Sequence, residues 1–128
     1  MRARREREFE LLRQKYGAVE QGTDLDWLII KAFTLPPGWA RARTELLVIV
    51  PPGYPMTAPD NFYVETGLRL AAGSPPQNYS EPVMCQGRHW GLFSFHVESG
   101  WVPSADLLAG HNLLTFMINV ESRFAELS

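Results

Sequence analysis

The chain has 128 residues, of which 45% are hydrophobic and 20% are charged, and its formal net charge at pH 7 is −2. This length predicts one domain with a single core, and the charge excludes a nucleic-acid binder that relies on overall basicity. The single cysteine, Cys85, excludes an internal disulfide and a zinc site built from several cysteines. No apolar run approaches the ~20 residues of a membrane span, and no apolar targeting segment is seen, so we expect a cytoplasmic protein.

A short helix is predicted over residues 3–15. Phe9, Leu12 and Tyr16 recur at helical spacing, and Gly17 stands where a helix commonly ends. The other positions are mostly charged, with cations in excess: Arg2, Arg4, Arg5, Arg7, Arg13 and Lys15 against Glu6, Glu8 and Glu10. Two interpretations stay open, a basic docking patch and a solvated face with favourable side-chain pairs.

Strand-like runs follow the helix. A short run covers residues 18–20, and two longer runs, rich in β-forming residues, cover 26–34 and 41–50. A further run covers 62–64. Short connections rich in glycine and proline predict an antiparallel meander rather than strand-helix-strand units.

The segment of residues 51–59, here called the proline bridge, separates the last two of these runs. It contains Pro51, Pro52, Pro55 and Pro59. Each proline fixes φ and removes a backbone donor, so the bridge cannot itself be a strand. We predict a rigid connection whose one large ring, Tyr54, anchors it to the core, with an ordinary long loop as the alternative.

Residues 66–91 show no sustained periodicity and are rich in glycine and proline. The pattern predicts a long irregular segment that carries Cys85, and loops of this length tend to be functional. A short strand is predicted over 94–97. A final helix is predicted to begin at Pro103 or Ser104, and its apolar stripe is expected to pack against the sheet: Leu113, Phe116, Met117, Val120, Phe124 and Leu127.

Two short motifs resemble those of ubiquitin-conjugating enzymes. Tyr54-Pro55 with Pro59 resembles the Tyr-Pro-x-x-x-Pro bridge, and Trp101-Val102-Pro103 resembles the Trp-x-Pro that precedes the crossover helix. In this order of elements, the chain resembles the ubiquitin-conjugating enzyme superfamily and, within it, a compact bacterial conjugating-enzyme-like family. The resemblance implies an α+β fold over residues 1–128, with an N-terminal helix, an antiparallel β-meander, a long active-site loop and a C-terminal crossover helix.

The resemblance also implies a function and partners. The chain is expected to take a ubiquitin-like modifier from an ATP-dependent activating enzyme and to pass it to an amine of an acceptor protein. No cofactor, nucleic acid or membrane is expected as a partner. A role in bacterial antiviral defence is implied by the resemblance alone.

The site residues are implied in the same way. In the family, His-Pro-Asn precedes the nucleophilic cysteine, and here Pro75-Pro76-Gln77 stands before Cys85, with the spacing kept and two of three residues changed. The resemblance implies that Cys85 carries the modifier as a thioester. Gln77, or Asn78 as the second candidate, is expected to donate to the oxyanion.

Acidic and histidine residues complete the expected site. Asp106, just after Trp-x-Pro, corresponds to acidic residues that help deprotonate the incoming amine, although Asp also favours the first turn of a helix. His89, four residues after Cys85, is a possible base or loop-ordering donor, but packed or surface positions are an alternative for it, His96 and His111. The histidines give no recognisable set of metal ligands.

Two further hypotheses remain beside the conjugating enzyme. The altered Pro75-Pro76-Gln77 motivates a catalytically inactive variant that binds a ubiquitin-like protein or serves as a scaffold. Cys85 with His89 motivates a small cysteine hydrolase.

Overall fold

A computed structural model of the chain describes residues 2–97 and 100–128. In chain order, its elements are α1 (Arg2–Tyr16), β1 (Val19–Gln21), β2 (Trp27–Thr34), β3 (Arg43–Ile49), β4 (Asp60–Val64), β5 (Tyr79–Cys85), β6 (Arg88–His96) and α2 (Leu113–Ala125). The strands form one antiparallel sheet in the order β1-β2-β3-β4-β6-β5. The expected α+β fold is confirmed.

The main core lies between the two helices and one face of the sheet. Phe9 and Leu12 of α1 join Phe116 and Phe124 of α2 in a single buried cluster with alternate residues of the strands. Successive side chains of a strand point to opposite faces, so the residues between them form the other, outer face of the sheet. The predicted helical stripe is buried except at Leu127, which lies beyond the end of α2 and is half-exposed.

One buried carboxylate joins α1 to the proline bridge and to α2. Glu8 is fully buried, and its oxygens accept hydrogen bonds from Arg4 Nε at 2.8 Å, from the Leu113 backbone N–H at 2.7 Å and from the Tyr54 hydroxyl. Burial, together with the bond to Glu8, raises the pKa of Tyr54. The prediction that Tyr54 anchors the bridge is therefore confirmed.

The two family motifs contact each other. Trp101 Nε1 donates to the Pro55 carbonyl at 2.8 Å, and the rings of Trp101 and Tyr54 lie 6.4 Å apart. The proline bridge, between the end of β3 and the start of β4, is thus fixed from both sides, by α1 and by the segment before α2. We call this side of the molecule the bridge end.

The prediction of an irregular segment over residues 66–91 holds for residues 66–78 and is wrong for residues 79–91. β5 and β6 form a hairpin closed by a two-residue turn in which Gln86 and Gly87 both have positive φ, at 50° and 76°. Pro82 is tolerated because the register shifts between Ser80 and Val83 and because β5 is an edge strand. The predicted short strand over 94–97 corresponds to the end of the longer β6, which stops at His96.

The start predicted for the last helix is also wrong. α2 begins after Asn112, whose side-chain oxygen accepts from the backbone N–H groups of Leu114 and Thr115, while the Thr115 hydroxyl accepts from the Asn112 N–H. The first N–H groups of a helix have no partner within the helix, and this reciprocal cap supplies partners for two of them and for the Asn112 N–H. The helix therefore begins after Asn112 and not at Pro103 or Ser104.

Candidate functional site

Cys85 is the last residue of β5 and stands opposite Arg88 across the hairpin turn. Its thiol is partly buried against a small cluster on the outer face of the sheet. This outer-face cluster consists of Ile29, Leu47 and Trp90, with Trp27, Ile49, Tyr63 and Cys85 packed on them. The cysteine therefore lies at the tip of an ordered hairpin, here called the hairpin tip, and not in a loop.

The thiol is held mainly in its neutral form. Burial raises the pKa of Cys85, and hydrogen bonds with the Tyr63 hydroxyl and the Gln86 backbone offset only part of that effect because they favour the thiolate. A partner that brings a positive charge to the tip favours the thiolate and so activates this sulfur.

The hairpin tip is ordered by Trp90 and Arg88. Trp90 is fully buried, and its Nε1 donates to the Cys85 carbonyl at 2.9 Å. The Arg88 guanidinium lies 4.0 Å from the centre of the Trp90 ring and pairs with Glu45 at 3.2 Å. Burial favours the neutral form of Glu45, but the hydrogen bonds from Arg88 and Lys31 outweigh it and lower its pKa.

The predicted amide donors are remote from the thiol. The Gln77 carbonyl accepts from Arg123 of α2 at 2.9 Å, and the Asn78 carbonyl accepts from the Ser94 N–H at 2.8 Å. Asn78 precedes β5 and Cys85 ends it, so an extended strand of this length separates the two residues by roughly 20 Å. The structure does not bring Gln77 or Asn78 to Cys85.

His89 and Asp106 are also apart from the thiol. His89 pairs with Met84 in the register, and the alternation of a strand directs its side chain to the face opposite that of Cys85. Asp106 lies in a turn before α2, where its Oδ1 accepts from the Leu108 N–H at 2.9 Å. Arg4 of α1 donates to the Ser104 carbonyl at 2.6 Å, which attaches this segment to the bridge end.

A pair that the sequence reasoning missed lies at the bridge end. Asp60, the first residue of β4, stands opposite His96, the last residue of β6, and its carboxylate hydrogen-bonds with Nδ1 of the imidazole. His96 carried no distinguishing signal among the three histidines, and Asp60 carried none at all. Their contact depends on the register of two strands that are distant in sequence.

A polar cleft lies beside this pair, between the end of β6 and the C-terminal half of α2. Its volume is about 270 Å³, and all of its lining residues but Phe95 are polar, among them Asn78, His96, Asn119 and Arg123. We call it the β6–α2 cleft. It brings Asn78, which the sequence analysis proposed as an amide donor, close to His96, although not to the cysteine.

A larger cleft of about 560 Å³ lies between the ends of α1, β2 and α2. Its walls are mainly apolar, with polar groups from Lys15, Tyr16, Thr34 and Glu121. The carboxylate of Glu121 pairs with Lys15 Nζ at 3.2 Å and accepts a hydrogen bond from the Tyr16 hydroxyl. Neither the thiol nor a histidine lines it.

Within residues 2–97 and 100–128, no cluster of three or more His, Cys, Asp or Glu residues is arranged to hold a metal ion. Over the same residues, no helix has the length and apolar character that crossing a membrane requires.

Comparison with known proteins identifies a family. The sequence model of a family described as "Prokaryotic E2 family E" matches residues 5–126, nearly the whole chain. No curated protein and no solved structure matches the chain. The family match confirms the resemblance to bacterial conjugating-enzyme-like proteins and supports a conjugating-enzyme-like role.

Proposed function

The chain belongs to the prokaryotic E2 family E, and from that premise we propose that it carries a ubiquitin-like modifier as a thioester on Cys85 and transfers it to an amine. The observation that carries the proposal is that the only cysteine of a chain in this family is partly accessible, at the tip of a hairpin. The partners are the modifier, an ATP-dependent activating enzyme and an acceptor protein, and the proposed location is the cytoplasm.

The chemistry requires a group that both attacks and leaves. The Cys85 thiolate attacks the thioester carbonyl on the activating enzyme, whose own thiolate leaves, and an acceptor amine then attacks the new thioester and releases Cys85. The Tyr63 hydroxyl, which lies in the same outer-face cluster as the thiol and favours the thiolate, takes the oxyanion-donor role that the sequence analysis gave to Gln77 and Asn78.

The raised pKa of Cys85 gives the activating enzyme a part in the mechanism. A thiol that is mainly neutral when the protein is alone reacts slowly, which limits reaction with unintended electrophiles. In this proposal, the activating enzyme supplies a positive charge that favours the thiolate. The basic residues of α1 that face solvent are candidates for its docking surface.

The test uses the modifier and the activating enzyme of the same organism with ATP. The wild-type protein is expected to give an adduct that a reducing thiol removes, and Cys85→Ser is expected to give an ester that resists the thiol. Cys85→Ala is expected to give neither. An adduct that persists in Cys85→Ala contradicts the proposal, as does the absence of any adduct with a competent activating enzyme.

A second candidate is a binding module that holds the modifier without chemistry. It is favoured by the raised pKa of Cys85 and by its distance from Gln77 and Asn78. This candidate predicts that Cys85→Ala binds the modifier as tightly as the wild type does, and that Cys85 stays slow to alkylate when the activating enzyme is added. The carrier proposal predicts faster alkylation in the presence of that enzyme.

A further inference from the structure

The imidazole of His96 is held in a defined orientation. Because the Asp60 carboxylate accepts from Nδ1–H, the neutral ring carries its free lone pair on Nε2, which is the arrangement of a general base. The side chains of His96 and Asp60 are 71% and 60% exposed. Exposed pairs of this kind contribute little to stability, so stability alone does not account for the contact.

The β6–α2 cleft adds a fixed positive charge and an amide. Arg123 is nearly buried, stacks over Phe93 at 5.1 Å, and donates to the carbonyls of Gln77, Glu126 and Ser128 at 2.9, 3.2 and 2.9 Å. These bonds hold the guanidinium in place, and the carboxylate of Glu126, which also lines the cleft, offsets part of its charge. Asn78 is fixed by the bond from the Ser94 N–H to its own carbonyl and lines the same cleft.

The size and lining of the cleft restrict its ligand. About 270 Å³ lies just below the 300 to 1,000 Å³ that is typical of sites for drug-sized molecules. The lining offers hydrogen-bonding groups in place of an apolar wall. A short, polar acyl group, such as a glycyl group in thioester or ester linkage, fits these properties better than a bulky apolar one does.

We propose that the β6–α2 cleft is a second acyl-transfer site, in which His96, oriented by Asp60, acts as general base on short polar thioesters. Water adds to the carbonyl carbon while its proton passes to Nε2, and Asn78 donates to the carbonyl oxygen as it becomes negative. The tetrahedral intermediate then expels the thiolate, which takes the proton back from Nε2. The products are a carboxylic acid and a thiol, and nothing is oxidised or reduced.

This site cannot share its base with the thiol of the hairpin tip. Cys85 pairs with Arg88 at one end of β6, and His96 lies at the other end. Eight residues of extended strand separate Arg88 from His96 by about 26 Å. The proposal therefore stands or falls independently of the carrier role of Cys85.

The experiment measures release of free thiol from an acetylglycyl thioester of 3-mercaptopropionate. Every protein in the series carries Cys85→Ala, so that the cysteine cannot contribute. We expect this parent to hydrolyse the thioester above the buffer rate, His96→Gln to lower kcat/KM by about 100-fold, and Asp60→Asn to lower it by about tenfold. His89→Gln is the matched control, because His89 is an exposed histidine of the same strand that lies outside the cleft, and it should retain the parent rate.

Three results overturn the proposal. They are a parent rate equal to buffer, full activity in both His96→Gln and Asp60→Asn, and an equal loss in His89→Gln. Because His96 and Asp60 are exposed, their variants should keep the thermal unfolding midpoint of the parent, and Asp60→Asn preserves the shape of the side chain in any case. A loss restricted to the two cleft variants supports the site even if no modifier adduct ever forms on Cys85.

Discussion

The two ends of β6 differ in what they offer to a reaction. The hairpin tip has a thiol that burial keeps neutral, while its His89 lies on the other face of the sheet and its Glu45 is paired with Arg88. The bridge end has an oriented imidazole and a polar cleft, together with both family motifs. Nucleophile and base are thus separated by the length of β6. The thiol depends on a charge that a partner brings, whereas the imidazole is oriented by Asp60 of the same chain.

Replacing Glu8 tests whether the bridge end is built around the buried carboxylate. Glu8→Ala leaves the charge of Arg4 and the donors of Tyr54 and Leu113 without their acceptor, so we expect a loss of about 3 to 5 kcal/mol in the free energy of unfolding. Urea denaturation measures it. Glu6→Ala is the control, since Glu6 pairs with Arg2 on the exposed surface of α1. An equally large loss in Glu6→Ala would refute the claim that the buried carboxylate of Glu8 organises the bridge end.

Replacing Trp90 tests whether packing keeps the thiol neutral. Trp90→Ala removes a fully buried ring and should cost about 3 to 5 kcal/mol in the free energy of unfolding, or somewhat less if the hairpin tip collapses into the space. The same variant should speed the alkylation of Cys85 at pH 8, because burial is the main cause of its raised pKa. Met84→Ala, at an exposed position of the same hairpin, should change neither quantity.

Glu81 tests how firmly the edge strand β5 is held between the two ends. Its carboxylate accepts from Arg69 at 2.5 Å, from the Gly67 N–H at 2.7 Å and from the Tyr79 hydroxyl at 2.6 Å, and chiefly the bond from Arg69 lowers its pKa to about 2. A lowered folded pKa stabilises the fold above the ordinary carboxyl pKa and loses that effect as the pH falls towards 2.

Glu81→Gln should therefore destabilise the protein by about 1 kcal/mol at pH 6 and by almost nothing near pH 2. Chemical denaturation across this range measures the difference. A destabilisation that does not change with pH would show that the charge of Glu81 is not what holds the strand.

The smallest effect concerns Tyr63. Its hydroxyl favours the Cys85 thiolate, so Tyr63→Phe should raise the thiol pKa further and slow alkylation by a factor of a few at pH 8. The pH profile of alkylation should shift to higher pH in the variant. Tyr16→Phe, at a ring in the larger cleft, is the control, and an equal shift there would remove Tyr63 from the proposed site.

The elements that rest on apolar runs and prolines could be predicted from the sequence. β2 and β3 are long and rich in β-forming residues, and the proline bridge is rigid whatever surrounds it. The hairpin was missed because Pro82 and the glycines suppress the strand pattern and because Gln-Gly is a weaker turn signal than Asn-Gly. The start of α2 was missed because Ser104 and Asn112 both suit the capping position.

The candidate site could be predicted only in part, because the distance in space between two residues depends on whether the segment between them is a loop or an extended strand. A short spacer between Gln77 and Cys85 predicts proximity if the segment is a loop, but an extended strand converts it into roughly 20 Å. The contact of Asp60 with His96 requires the pairing of β4 with β6 and the register shift within it, which no local pattern specifies. Sequence therefore identified the reactive residue types, and their grouping required the fold.

The most direct measurement is to map the residue that carries the modifier after reaction with the activating enzyme and ATP, in wild type, Cys85→Ala and His96→Gln. We predict a thiol-labile adduct on the peptide that contains Cys85 in the wild type and in His96→Gln, and none in Cys85→Ala. An adduct on any other residue, or its loss in His96→Gln with Cys85 intact, would contradict the separation of the two ends.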